Sequence, residues 1–242
     1  VADTVSKADG GTFDGNVTMG GTLGVTGATT LTGGVSGNTT FSGEIITSTS
    51  GTSNTRIGEN AGDAIASGGN YNVFIGDEAG TAITTGDSNV AVGFEALSTE
   101  DAHSRNTAIG HQSLKTQDAG ANGQSTAVGY NSGKAVTTGI ENVFIGASAG
   151  ESATTPSSTV AIGKSACGGA VLTGDNNTIV GHSAGDAMTS GTRNVAVGKG
   201  ALGVLTSGTD NVAIGGVDAA AAEVLGANLT GGGNIAIGGG TL

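Results

Sequence analysis

Tryptophan is missing from this chain, and aromatic residues of every kind make up 3% of its 242 positions. A compact globular core of that size draws much of its buried area from large rings, so a conventional core is excluded. There is one cysteine, so no intrachain disulfide can form. Cations are scarce: 8 Lys and Arg stand against 20 Asp and Glu, a net charge of −12. The basic residues are scattered, and an acidic chain repels a phosphate backbone, so nucleic acid is excluded as a partner. No apolar run reaches membrane-spanning length, and no signal peptide is recognisable. Membrane insertion is therefore not expected.

Glycine is abundant, with 48 residues and no collagen triplet. Such a composition also suits disordered segments, but a strict alternation of small and β-branched residues argues against that here. From residue 54 one phrase recurs: Asn, then apolar–small–apolar, then Gly. Its closing glycines are Gly58, Gly76, Gly93, Gly110, Gly129, Gly146, Gly163, Gly181, Gly198, Gly215 and Gly238. Most intervals are 17 or 18 residues, and the last is 23. Eleven copies at a near-constant period predict an all-β parallel solenoid, or β-roll, of about eleven coils. Stacked at about 4.8 Å per coil, they would extend roughly 50 Å.

Within each copy the outer two positions of the strand are Val, Ile or Thr, from Thr55 and Ile57 to Ile235 and Ile237. The position between them is mostly alanine. Alternation places the outer pair on one face and the middle residue on the other. We expect the β-branched pair to face inward. The middle column is then the flank that meets another chain: Phe74, Ala91, Ala108, Ala127, Phe144, Ala161, Ile179, Ala196, Ala213 and Ala236. A looser apolar column follows seven residues after the glycine, with Ile65, Ile83, Val136, Met188 and Leu205. Where it fails, Leu97, Leu114 or Leu202 sometimes stands four residues after the glycine. Thr-Gly and Ser-Gly pairs mark further corners, so each coil reads as two short strands and two turns. The Asn slot, broken by Ser125 and Thr159, suits stacked side chains bonding to one another or to turn backbone.

The first fifty residues follow another rule. From Val17 a hexad fits, with Val17, Leu23, Thr29, Val35 and Phe41 in its first slot. Six residues per step cannot enclose a core alone, so 17–50 reads as a thin intertwined triple β-helix shaft. Residues 1–16 form an N-terminal attachment segment, 51–215 the β-roll, and 216–242 the last repeat and a cap, with a helical turn at 219–225.

The segment Val5-Ser6-Lys7-Ala8-Asp9-Gly10-Gly11-Thr12-Phe13-Asp14-Gly15-Asn16 resembles a short repeat of phage tail fibres. The NVAIG phrase of residues 54–242 resembles the head repeats of trimeric autotransporter adhesins and the NVAIG repeats of phage tail fibres. That resemblance implies a parallel β-roll that trimerises, with Val and Ile inside each roll and the alanine face toward the other subunits. The longer period and the extra Thr-Gly turn favour the phage-fibre branch. Many such fibres carry a C-terminal chaperone domain removed after assembly. The end at Leu242 fits such a cleavage or an incomplete chain.

No catalytic set is expected, and no cofactor or metal. His103, His111 and His182 are too dispersed for a cluster by local spacing. Asp87, Asp175 and Asp210 recur in turns, where a calcium ladder is the alternative to ordinary turn acids. Cys167 reads as a buried small hydrophobe. The residue after each closing glycine is the variable one, and Phe94, His111, Tyr130, Lys164, His182 and Lys199 are the receptor-contact candidates. The expectation is a homotrimeric virion fibre, tail or capsid. A virion attachment protein would hold its N-terminal region, and a host surface glycan or protein would be its target. The alternatives are a bacterial extracellular adhesin or surface filament, an ice-binding solenoid, and an enzyme with a site between chains.

Overall fold

The computed structural model describes residues 50–120, 122–216 and 230–239. The readings for 1–16, 17–50 and the cap helix at 219–225 lie outside the described residues, as does most of 216–242. The chain divides into two units, Val1–Ile45 and Ile46–Leu242, and the described residues all belong to the second.

That unit is an all-β parallel solenoid. Its strands are β1 (Thr55–Ile57), β2 (Val73–Ile75), β3 (Val90–Val92), β4 (Thr107–Ile109), β5 (Thr126–Val128) and β6 (Val143–Ile145). They continue as β7 (Val160–Ile162), β8 (Thr178–Val180), β9 (Val195–Val197), β10 (Val212–Ile214) and β11 (Ile235–Ile237). Each pairs in parallel with its sequence neighbour, so one eleven-stranded sheet runs in chain order. The register is strict: Phe74 lies opposite Ala91, Ala91 opposite Ala108, Ala108 opposite Ala127.

The interior is the opposite of the one expected. Phe74, Ala91, Ala108, Ala127, Phe144, Ala161, Ile179, Ala196 and Ala213 are fully buried within this single chain, and Ala236 is nearly so. None of these ten side chains is available to a second subunit. The Val, Ile and Thr columns point outward instead; Ile57 is 56% exposed and Ile214 39%. The cause is volume. Behind the strand stand Ala61, Ala79, Ala96, Ala149, Ala166, Ala184 and Ala201, all fully buried. A coil this narrow has room for a methyl group at the strand centre, but not for a β-branched pair.

Where the strand centre is large, glycine makes the room. A Cβ on Gly62 or Gly80 would lie 2.3 or 2.5 Å from the Phe74 ring, and one on Gly150 would lie 2.5 Å from the Phe144 ring. In the coils of Ala91, Ala108, Ala161 and Ala196 the position four after the closing glycine is instead Leu97, Leu114, Cys167 or Leu202, all buried, whereas the coil of Ala127 has Gly133, where a Cβ would lie 2.9 Å from the Phe144 ring of the next coil. The two slots trade volume, so packing density is kept from coil to coil. The positions seven after the glycine, including Ile65, Ile83, Val136, Met188 and Leu205, complete the core.

Among the described residues each coil holds one three-residue strand, not two. Among the described residues the opposite side carries a single isolated bridge, Thr192 to Thr209. Its coils are joined by hydrogen bonds outside strand geometry, such as Thr137 N to Thr154 O at 2.8 Å and Thr189 N to Thr206 O at 2.8 Å. Corners use left-handed backbone. The residue before each Asn slot has positive φ, from Ser53 to Asp210, as does the residue two after the closing glycine, from Asn60 to Ser183. The closing glycines themselves are obligatory. Gly93 has φ +129°, and a Cβ there would meet the Gly110 carbonyl oxygen at 2.5 Å.

The Asn slot forms a ladder along the buried edge of the sheet. Asn72 N donates to Asn54 Oδ1 at 2.9 Å, Asn89 N to Asn72 Oδ1 at 2.8 Å, and Asn106 N to Asn89 Oδ1 at 2.9 Å. The ladder passes through Ser125 Oγ and Thr159 Oγ1 and resumes at Asn177, Asn194 and Asn211. Most Asn Nδ2 groups also donate to a turn carbonyl, as Asn142 does to Pro156 O at 2.6 Å. Most of these side chains thus satisfy backbone groups of two coils that would otherwise be buried unpaired.

Candidate functional site

The residue after each closing glycine leaves the coil at a corner and has no interior to fill. Phe94, His111, Tyr130, Lys164, His182 and Lys199 are all exposed, in that order along one edge of the stack. Successive coils bring three of them into ring contact. The Phe94 and His111 centroids are 5.3 Å apart with a tilt of 31°, and His111 and Tyr130 are 5.2 Å apart and stacked at 20°. This is an aromatic ridge across three coils, with Phe94 40% and Tyr130 57% exposed. Lys164 and Lys199 continue the same edge with two positive charges in an otherwise acidic chain, with His182 between them. The ridge is suited to stacking on a planar or sugar-like surface, with hydrogen-bonding groups beside it.

The second outward surface is the sheet face. The 22 positions of its two columns hold Val, Ile and Thr and no charge. Eleven strands at about 4.8 Å spacing and three residues of width make a plane of about 500 Å². A shallow depression of about 360 Å³ lies elsewhere, lined by Thr116, Lys134, Ala135, Glu151, Ser152, Thr154 and Val171.

The turn aspartates are held by protein groups. Asp87 Oδ1 accepts from Asn70 N at 2.7 Å and Asp175 Oδ1 from Ser157 N at 2.7 Å. Asp210 is gripped by the Arg193 guanidinium through two bonds of 2.7 and 2.8 Å, which hold its carboxyl below the usual carboxylate range. Cys167 is buried at the position where other coils place leucine, and burial pushes its thiol up to about 12.

One group of titratable residues escaped the sequence reading. Glu100, Asp101, His103 and Asp118 each bring a ligand-type atom within 4.8 Å of the others. His103 meets carboxylates of its own coil and of the next. Glu100 and Gln117 both stand seven after a closing glycine, the slot that holds Ile65, Ile83, Val136, Met188 and Leu205 in other coils. That break in the apolar column is the signal that would have found the group. Burial raises the Glu100 carboxyl above its usual value, against the opposing pull of His103.

No protein-family model, curated protein or solved structure matches the chain. Among the described residues no helix is long and apolar enough to cross a membrane.

Proposed function

We propose that this chain is a structural fibre protein of a phage or phage-like particle, forming a rigid homotrimeric rod that attaches the particle to a host surface. The carrying observation is the outward sheet face: 22 uncharged Val, Ile and Thr positions on a chain of net charge −12. An unbroken β-branched plane of about 500 Å² calls for a partner. Three such faces around one axis total about 1,500 Å², above the roughly 1,000 Å² that a specific interface needs. A second copy of the same chain is the partner best matched in length, flatness and lack of charge. The subunits therefore meet through the Val, Ile and Thr columns, with the alanine columns inside each roll.

This arrangement leaves the ridge of Phe94, His111 and Tyr130 free at a corner of each subunit. Three equivalent ridges give avidity for a repeated surface glycan or protein. The role is mechanical and adhesive rather than catalytic, and its setting is the virion. The test is competition. Purified protein should block adsorption of the parent particle to host cells, and the double variant F94A/Y130A should block it at least tenfold less well. Undiminished adsorption at saturating wild-type protein would overturn the attachment role.

A further inference from the structure

We propose that Glu100, Asp101, His103 and Asp118 form a binding site for a divalent transition-metal ion such as Zn2+ or Mn2+ that ties two successive coils together. Glu100 is fully buried, with no side-chain exposure. Its Oε1 accepts from His103 Nδ1, and its Oε2 has no hydrogen-bond partner. An ionised oxygen buried without a partner is costly, and a cation is the usual remedy. His103 Nδ1 lies 3.9 Å from Asp101 Oδ1 and 3.9 Å from Asp118 Oδ1. Glu100, Asp101 and His103 come from the coil that follows β3, and Asp118 from the coil that follows β4.

The backbone carrying these groups is already fixed. The Asp101 carbonyl accepts from the Thr84 hydroxyl at 3.0 Å, the His103 carbonyl from Asn89 Nδ2 at 2.9 Å, and Asp118 N donates to Thr137 O at 2.9 Å. The His103 and Asp118 side chains are 17% and 58% exposed, so an ion has a path in. Three carboxylates and one imidazole make a mixed set. Imidazole favours zinc and its neighbours, carboxylate suits manganese, and calcium prefers six to eight oxygens.

The location gives the ion a structural purpose. Asp118 lies in the 19-residue interval between Gly110 and Gly129, the longest between Gly58 and Gly215, and Glu100, Asp101 and His103 lie in the 17-residue interval before it. Here the Asn ladder is incomplete: Asn106 Nδ2 and Gln117 Oε1 are buried without partners. A cation shared by the two coils would hold the stack where its own hydrogen bonding falls short.

Isothermal titration of the metal-stripped full chain with zinc chloride and with manganese chloride tests this, with calcium chloride as comparator. The expected result is one Zn2+ or Mn2+ per chain, a higher melting temperature with metal, and affinity at least about tenfold weaker for calcium. H103Q and D118N touch partly exposed side chains and should fold normally while losing about tenfold or more in affinity. E100Q should abolish binding while leaving the stripped protein at least as stable as wild type, because it replaces a buried carboxyl that has one oxygen without a partner by a neutral amide. The control variant H111A/H182A should bind as wild type does. No saturable Zn2+ or Mn2+ binding by wild type, or binding that survives H103Q and E100Q, would overturn the proposal.

Discussion

Exchanging volume between Phe144 and Gly150 is the sharpest probe of how each coil is filled. Phe144 is fully buried at the centre of β6, and its ring occupies the space that a side chain on Gly150 would need. F144A alone removes the ring and should cost about 3–5 kcal/mol, the usual range for such a cavity. G150L alone drives a leucine into that ring, since even its Cβ would sit 2.5 Å from Phe144 Cδ1. Overpacking of this kind should cost about 1–3 kcal/mol, with a further ~1 kcal/mol for left-handed backbone at a non-glycine residue. The backbone itself accepts leucine. Gly150 has φ +60°, and Leu97, Leu114 and Leu202 hold the same slot at +52°, +48° and +53°. The double variant recreates the pairing of Ala91 with Leu97. It should therefore be more stable than the sum of the single effects predicts, by about 1–3 kcal/mol. Recovery stays partial because the ring also packs over Gly133, where a Cβ would lie 2.9 Å away. Urea unfolding followed by circular dichroism, with hydrogen exchange at β6 to catch local opening, gives the coupling energy. Strict additivity would refute the volume trade.

The Asn ladder and the buried thiol give two further expectations. N142A removes both the acceptor for Thr159 N at 3.0 Å and the donor to Pro156 O at 2.6 Å. It should destabilise by about 2–4 kcal/mol in urea unfolding. N142T keeps an acceptor, as Thr159 does one coil on, and should lose markedly less; equal losses would show that the ladder is incidental. Cys167, with its thiol pushed up to about 12, should resist iodoacetamide at pH 8 in the folded chain and react promptly in denaturant. Rapid labelling of native protein would contradict its placement inside the coil.

Much of this architecture is legible in the sequence. The columns starting at Thr55 and Ile57 mark every strand, and the strict phrase fixes the register, because one supersecondary unit is repeated with little variation. The step after the closing glycine correctly puts Phe94, His111 and Tyr130 in line, since a solenoid stacks equivalent positions. What the pattern leaves open is which face is inside. Alternation groups Val128 apart from Ala127 but carries no sign, and hydrophobicity alone points to the valine. The deciding quantity is the width of the coil, set by residues on the far wall such as Ala96, Ala149 and Ala201. The glycines at Gly62, Gly80, Gly133 and Gly150, each beside a Phe at the centre of its own or the following strand, are a readable sign of that width. The second strand per coil was overcalled because apolar residues at Ile83 and Val136 record burial, not a ladder. The group around Glu100 was hidden because it joins two coils: Asp118 stands 17 residues after Asp101, at the equivalent position of the next coil, and local spacing looks along one coil only.

The account turns on the outward sheet face as the surface that joins chains. Light scattering on the purified full chain tests it most directly. The wild type should have a mass of about 69 kDa, three times the 22.9 kDa of one chain. The variant I109D/I145D alters two side chains that are each 38% exposed in the single chain. It should keep its β circular dichroism and fall to the mass of one chain, because a trimer would bury unpaired charges. A wild type that scatters as one chain at every concentration, or a charged variant that stays trimeric, would contradict it.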